Sequence, residues 1–237
     1  MLTLVTGAGA KGQVGEAVAR TLAARGHDVL IVARREADAV ARAAELAAEG
    51  VGHEAHGYGC DLASDSDVGR LAARIREEHG DRLDALVNLA GGFALSGPLA
   101  ESDPALLARM FEINVRTAYL TTRAFLPALR QARGSVVYFA SDAVLEGSRA
   151  TSIAAYVAAK SAVVALMRSV ADEAAGDGVR ANALAPGAIR TTANVAGMGD
   201  QVAYVEREDV GEAVAWLCSP DSAAVTGQVI RLRPVTR

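Results

Sequence analysis

Two residues four positions apart carry the first chemical signal. Tyr156 and Lys160 close the stretch Tyr156-Val157-Ala158-Ala159-Lys160. In a helix an i, i+4 pair lies on one face, one turn apart. A free phenol titrates near about 10. A neighbouring ammonium favours the phenolate and lowers that value. A tyrosine so placed can give or take a proton near neutral pH. The plainer alternative is an amphipathic tyrosine beside a surface lysine on an alanine-rich helix. Composition weighs against it: with five Tyr and two Lys, chance would give roughly 0.04 such pairs. The other 22 side chains of the Lys+Arg total are Arg, and the second lysine, Lys11, falls in a glycine-rich segment.

Proton transfer to an oxygen needs a group that orients it, and Ser141 is the candidate. The apolar run Ser135–Ala140 reads as a buried strand that delivers Ser141 at its C-terminal end. Open parallel sheets bind ligands at that edge. The hydroxyl could hydrogen-bond a substrate carbonyl; its other role is capping or turn chemistry with Asp142.

A second constellation opens the chain. The run Leu2–Thr6 leads into Gly7-Ala8-Gly9-Ala10-Lys11-Gly12-Gln13-Val14-Gly15 and directly into a helix. Glycines there let backbone N–H groups approach a pyrophosphate at the positive end of the helix dipole. The spacing Gly-x-Gly-x-x-Gly is met by Gly7, Gly9 and Gly12, or it yields to Gly12-x-x-Gly15. A ligand-free reading makes the same segment a tight strand–helix turn. The second apolar run ends Val32-Ala33-Arg34-Arg35. An acid at that strand end would accept from a ribose 2′-hydroxyl, whereas arginine pairs with a 2′-phosphate. Arg34, Arg35 and Lys11 therefore favour NADP(H), with NAD(H) as the alternative. The bland reading leaves both arginines as solvated strand ends.

These residues must be positioned by a regular frame. Short apolar runs, Leu2–Thr6, Val29–Ala33, Glu54–Cys60, Ala85–Ala90, Ser135–Ala140, Arg180–Ala185 and Gln228–Leu232, alternate with helical stretches. The helices are expected near Gly15–Arg25, Ala37–Glu49, Asp67–His79, Pro104–Arg130, Ser152–Ala175 and Glu208–Cys218. Strand runs with little internal alternation are buried on both faces. The alternation predicts an α/β fold, a parallel sheet covered by helices on both sides. Helix starts are marked where Ser64 precedes Asp67 and where Ser102-Asp103 precedes Pro104.

Composition narrows the function classes. The chain has 237 residues, 51% apolar and 22% charged, which fits a globular domain. The net charge of −4 offers no basic excess for nucleic acid or an acidic membrane. The longest uncharged stretch, Ala85–Ala100, is broken by Asn88, Gly91, Gly92 and Pro98, so no membrane span is expected. Two cysteines, Cys60 and Cys218, and the lack of a leader suit a reducing, cytoplasmic setting. His53-Glu54-Ala55-His56 lacks a third ligand, so no metal is expected.

On these motifs the chain resembles the short-chain dehydrogenase/reductase family, of the classical type, over nearly its whole length. The family's Tyr-xxx-Lys matches Tyr156 and Lys160, and its serine matches Ser141 in Val-Val-Tyr-Phe-Ala-Ser. Its helix asparagine matches Asn114 in Phe-Glu-Ile-Asn-Val-Arg-Thr, and Asn-Asn-Ala-Gly appears as Asn88-Leu89-Ala90-Gly91. Asp61-Leu62 matches the adenine-contacting acid, and Pro186-Gly187-Ala188-Ile189-Arg190-Thr191 the nicotinamide-holding segment. The resemblance implies a doubly wound Rossmann fold of seven parallel strands in order 3-2-1-4-5-6-7, one domain over 1–237, with a short substrate lid near 190–208. It further implies NAD(P)-dependent carbonyl reduction or the reverse, and a homotetramer or dimer. The expected cofactor contacts are Gly7, Gly9, Lys11, Gly12, Val14, Gly15, Arg34, Arg35, Asp61, Leu62, Asn88, Ala90, Gly91, Tyr156, Lys160, Pro186, Gly187, Ile189 and Thr191. In the expected scheme Tyr156 transfers the proton, Lys160 lowers its pKa and holds the ribose, Ser141 orients the carbonyl, and Asn114 positions a relay water. Phe93, Ala94, Leu95, Val144, Leu145 and Ile153 are expected to line an apolar pocket for a small ketone or 3-oxoacyl substrate. An NAD(H)-dependent alcohol or sugar dehydrogenase, and a non-catalytic nucleotide-binding sensor, are the alternatives.

The chain also departs from the family's pattern. The spacings from Thr6-Gly7 to Gly12 and Gly15 are longer, which predicts an enlarged glycine loop. Ser141 precedes Tyr156 by 15 residues, more than the family's spacing, so 142–151 must bulge, with Ser148 and Ser152 as the weaker serine candidates. The tail reads Arg-Leu-Arg-Pro-Val-Thr-Arg in place of an Asp-Gly-Gly ending.

Overall fold

The computed structural model describes residues 1–50 and 54–234. Seven parallel strands form one sheet: β1 (Leu2–Thr6), β2 (Asp28–Ala33), β3 (Ala55–Gly59), β4 (Ala85–Asn88), β5 (Ser135–Phe139), β6 (Arg180–Pro186) and β7 (Val229–Leu232). Their order is β3-β2-β1-β4-β5-β6-β7, as expected. Direct side-chain alternation explains why the runs look apolar throughout. Leu4, Leu30, Leu86 and Val136 enter one core, while Val5, Ile31, Val87 and Val137 enter the other. Both faces are buried, so the strand centres are mainly apolar, and buried Asn182 in β6 donates its Nδ2–H to Val225 O at 2.8 Å. Each fully buried Val, Leu or Ile contributes roughly 1.5–3 kcal/mol.

Among the described residues there are eight α-helices, and six of them cover the two faces. Helices α1 (Val14–Ala24), α2 (Glu36–Ala48) and α8 (Arg207–Cys218) pack on one side. Helices α3 (Asp65–His79), α5 (Thr117–Ala132) and α6 (Ala154–Glu173) pack on the other. The marked helix starts hold: the Ser64 hydroxyl caps α3 by accepting from Asp67 N at 3.3 Å. Asp103 caps α4 (Pro104–Phe111), accepting from Ala105 N at 2.9 Å ahead of Pro104.

One expected helix is broken. The stretch expected over Pro104–Arg130 divides into α4 and α5 around a single π-helical turn, Glu112–Arg116. An extra residue in a turn shifts the side chains and frees backbone groups, and Asn114 lies in that turn. The segment 192–208 contains a short helix, α7 (Thr192–Met198), that periodicity does not announce. Among the described residues, α6 alone is long and apolar enough to cross a membrane by length and composition. Its Val163, Val164, Met167 and Val170 pack instead into the core. Cys60 and Cys218 are buried and unpaired, and burial pushes their thiols up to about 11 and about 12.

Candidate active site

The strand order reverses between β1 and β4, so their C-terminal ends leave a crevice. Thr6 holds this crevice together. Its hydroxyl donates to Val87 O and accepts from Leu89 N and Ala90 N, both at 3.0 Å. Gly7 follows with φ +73°, and a Cβ there would sit 2.8 Å from the Ala90 Cα. A side chain is thus excluded by backbone on both counts. The resulting cleft is lined by Gly7, Arg34, Asp61, Leu62, Ala90 and Gly91, among others. Gln13 at the start of α1 supplies no side-chain cap to the first turn. Glycine backbone, the start of α1 and Arg34 on a wall that also carries Asp61 and Glu112 fit a dinucleotide.

The expected cofactor residues divide by what they touch. Arg34 is exposed and lines the cleft. Arg35 turns aside to Asp38, with Nε 2.8 Å from Oδ2, and Lys11 pairs with Glu45 at 3.8 Å. Gly12 gives its N–H to Glu16 Oε2 at 2.5 Å. The Glu16 carboxylate is buried among Arg20, Arg42 and Arg207, at 3.4, 3.3 and 3.7 Å. Those cations offset its charge beside the glycine loop. A Cβ on Gly9 would lie 2.6 Å from the Ala33 Cβ, so Gly9 lets the loop pack on the end of β2. Gly15 packs on Ala8, where a Cβ would lie 2.7 Å from the Gly7 carbonyl oxygen. Val14 begins α1 and packs toward the core. Asn88 points inward: its Nδ2 donates to Thr122 Oγ1 at 2.9 Å, away from the cleft. Asp61 accepts from Ala63 N at 3.0 Å at the cleft wall.

The segment after β6 is fixed by backbone bonds to β7 and to the glycine loop. Gly187 N donates to Leu232 O at 3.0 Å, and Ile189 bridges to Val205. The Thr191 hydroxyl caps α7, accepting from Asn194 N at 3.1 Å. Thr192 N donates to Gly12 O at 3.0 Å, tying the segment after β6 to the glycine loop. Neither Glu16 nor Thr192 was reachable from spacing alone, because each contact joins or neutralises groups brought together by the fold. Glu16 did leave one signal: it stands i+4 from Gly12, within reach of the loop's last amide.

Ser141, Tyr156, Lys160 and Asn114 converge beyond β4 and β5. Lys160 is buried, and its Nζ donates to Phe139 O at 2.8 Å. Burial pushes its amine down to about 8. Nζ lies 5.9 Å from the centre of the Tyr156 ring. Burial raises the Tyr156 phenol above its ordinary value, opposed by a hydrogen bond with Ser141. The lowering expected from Lys160 is not seen: burial of the phenol dominates, and the ammonium lies 5.9 Å from the ring centre. The Ser141 hydroxyl also accepts from Ala143 N at 3.3 Å. The extended spacing is absorbed in 142–151, and Ser141 still reaches Tyr156. Ser148 instead donates to Asp142 at 3.1 Å, and Ser152 sits at φ +62° with its carbonyl holding Ser96 N.

Asn114 works as a backbone clamp. Its Oδ1 accepts from Gly92 N at 3.1 Å, and its Nδ2 donates to Gly92 O and Met110 O at 3.0 and 3.1 Å. A Cβ on Gly91 would lie 2.5 Å from Asn114 Oδ1 and 3.5 Å from Lys160 Nζ. Gly91 thus lets the loop after β4 lie directly on both residues. The expected apolar pocket is only partly closed. Phe93 stacks edge-on against Tyr156 at 5.0 Å, yet it and Leu95 are 60% and 70% exposed. Val144 and Leu145 pack against the core, and Ile153 is half-buried. His53 lies outside the described residues; among the described residues no group of three His, Cys, Asp or Glu could hold a metal.

Known proteins resemble this chain in sequence and fold. A family model described as enoyl-(acyl carrier protein) reductase matches residues 7–232. A (5R,7aS)-5-hydroxy-7a-methyl-1-oxo-2,3,5,6,7,7a-hexahydro-1H-indene-carboxyl-CoA reductase of Mycobacterium tuberculosis is 35% identical, covering 97% of this chain and 90% of its own. Among solved structures, a short-chain type dehydrogenase/reductase from Mycobacterium ulcerans superposes with a TM-score of 0.89 at 30% identity, covering 98% of this chain and 87% of that one. An NAD+-bound xylitol dehydrogenase superposes with a TM-score of 0.87 at 25% identity, covering 99% and 98%.

Proposed function

Because the chain belongs to the short-chain dehydrogenase/reductase family, an oxidoreductase family acting on CH–OH and C=O groups, we propose that it reduces a ketone or 3-oxoacyl carbonyl with NADP(H), or runs the reverse. The observation that carries the reading is the meeting of Tyr156, Ser141 and Lys160 at the sheet edge. Bound NADPH would supply the hydride. The chain's own residues do the rest. Ser141 holds the carbonyl oxygen against the Tyr156 phenol. The phenol gives its proton to that oxygen as charge develops there. Lys160 holds the ribose hydroxyls and favours the phenolate left behind. Asn114 keeps Gly92 and the following loop in place, and the π-helical turn around it leaves backbone groups for a relay water.

Arg34 on the cleft wall supports NADP(H). The NAD+-bound xylitol dehydrogenase supports NAD(H) as the second reading. A 3-oxoacyl substrate is supported by the acyl-carrier description of the family model and by the CoA-ester relative. The chain works as one Rossmann-type domain with a short lid over 190–208, acts on a small carbonyl or alcohol with no nucleic acid or membrane partner, assembles as a homotetramer, and resides in the cytoplasm.

The test is Tyr156→Phe, assayed by NADPH absorbance loss over a ketone panel. The ring and its packing stay, and only the hydroxyl goes. Turnover should fall by about 10²–10⁴, while NADPH binding survives. Lys160→Ala should instead weaken both. A folded Tyr156→Phe enzyme keeping more than about a tenth of wild-type turnover would return Tyr156 to a helix-face aromatic.

A further inference from the structure

Two departures from the family's pattern meet in space. The longer segment after Ser141 and the arginine-bearing tail form one cluster around Asp142, whose side chain is 19% exposed. The Asp142 carboxylate accepts from Arg231 Nε at 2.8 Å and from an Arg233 terminal nitrogen at 3.0 Å. Ser148 Oγ donates to the same carboxylate at 3.1 Å. A second nitrogen of Arg231 donates to Glu146 O at 2.8 Å, and Arg233 also reaches Ser148 Oγ at 3.3 Å. The two tail arginines thus grip both ends of segment 142–148.

The sheet makes this possible. Strand β7 lies beside β6 with Arg231 opposite Ala185, while β5, on the far side of β6, ends at the site. The arginines reach across the end of β6 to the segment that follows β5. That segment has little else to define it. Its own bonds are local: Val144 N to Ser141 O, Leu145 N to Asp142 O, and Ser148 N to Leu145 O, at 3.1, 3.0 and 3.2 Å. One short turn of this kind is marginal by itself. Yet it follows directly on Ser141 and carries Val144 and Leu145, which pack on the core beside the site. Burial alone would raise the Asp142 carboxyl, but hydrogen bonds from Arg233 and Ser148 and the charges of both arginines outweigh it and hold it below its ordinary value.

We propose that Asp142, Arg231 and Arg233 form a clamp by which the C-terminal tail positions Ser141 and the Val144–Leu145 wall for substrate. The clamp deepens the carbonyl-reductase reading and rests on it for the role of Ser141. All three are positioning residues.

The experiment compares the full-length chain with an Arg231→Ala/Arg233→Ala variant and an Arg231→Lys/Arg233→Lys variant. Hydrogen exchange of amides 143–148 is one readout. Steady-state reduction of ethyl acetoacetate by NADPH is the other. The alanine pair should raise exchange in 143–148 about tenfold or more, with α6 and the glycine loop unchanged. It should raise KM for ethyl acetoacetate about tenfold, with NADPH affinity within about twofold. The lysine pair, which keeps charge but loses the fork, should fall between. Unchanged exchange in 143–148 overturns the clamp. Raised exchange with unchanged KM and kcat overturns its positioning role. If the alanine pair does not fold, Arg233→Ala alone, at the more exposed position, is judged by the same outcomes. If the wild type reduces no ketone with either cofactor, the carbonyl-reductase reading fails, and the exchange arm still decides the clamp.

Discussion

Lys160 is the residue whose surroundings matter most to its chemistry. An amine buried against the Phe139 carbonyl is pushed down to about 8, against an ordinary 10.5. Between those values the unfolded chain binds more protons than the folded one, so stability rises with pH over that window. Below pH 8 the full burden of burying the ammonium is present. Lys160→Met has no such amine. The stability difference, wild type minus variant, should therefore grow by about 2 kcal/mol from about pH 7.5 to 10. Denaturant titrations of both proteins at the two pH values measure it, and a flat difference would show an unperturbed amine. Arg34 carries the second residue-scale expectation. Arg35 and Lys11 are committed to Asp38 and Glu45, which leaves Arg34 facing the cleft. Arg34→Asp should weaken NADPH by about 1.5–3 kcal/mol, the worth of one charge-assisted phosphate pair. NADH should change little, and Arg35→Ala should affect NADPH less. Titration of both cofactors decides it; a wild type that prefers NADH would reject the assignment.

At the scale of elements, the site depends on how closely helices and loops approach the sheet. The approach of α2 to β3 is the tightest example. Gly57 in β3 faces the α2 backbone, and a Cβ there would lie 2.6 Å from the Ala39 carbonyl oxygen. The neighbour is backbone within a helix, so it cannot turn away. Gly57→Ala should destabilise the fold by about 1–3 kcal/mol or more, as overpacking does. It should also disturb the β2–β3 edge beside Arg34 and Asp61. Thermal unfolding of the variant tests this, and a melting temperature equal to wild type would mean that α2 shifts freely. The π-helical turn at Glu112–Arg116 is the other element-scale device. It interrupts a run that would otherwise form one helix, and it turns Asn114 onto Gly92.

At the scale of the molecule, apolar side chains remain uncovered on the α4–α5 run. Leu107, Phe111 and Tyr119 are 48%, 38% and 53% exposed. Large exposed apolar groups on one helical stretch fit a surface that meets another copy across a two-fold axis. Light scattering should give a tetramer of the 24.4 kDa chain, and Tyr119→Glu should lower the assembly state. A stable wild-type monomer at micromolar concentration would reject the assembly.

The sequence by itself determined the sheet, its order through the family resemblance, and the Tyr156–Lys160 pair. Strand runs buried on both faces are mainly apolar, so Leu4-Val5, Leu30-Ile31 and Val136-Val137 announce themselves locally, while buried Thr3 and Asn182 are held by hydrogen bonds to His27 and Val225. An i, i+4 pair is likewise fixed by helix geometry alone. The tertiary structure decided which charges are free and which are committed. Arg34, Arg35 and Lys11 are three neighbouring candidates in the sequence; Arg35 turns to Asp38 three positions on, and Lys11 meets Glu45 because α2 lies beside the glycine loop. It decided that Ser141 reaches Tyr156 despite the longer segment between them, because 142–151 can bulge where the sheet edge leaves room. It also joined Asp142 to Arg231 and Arg233, 89 and 91 positions away. No local period encodes such a contact: it arises where β7, laid beside β6, brings the tail to the mouth of the site.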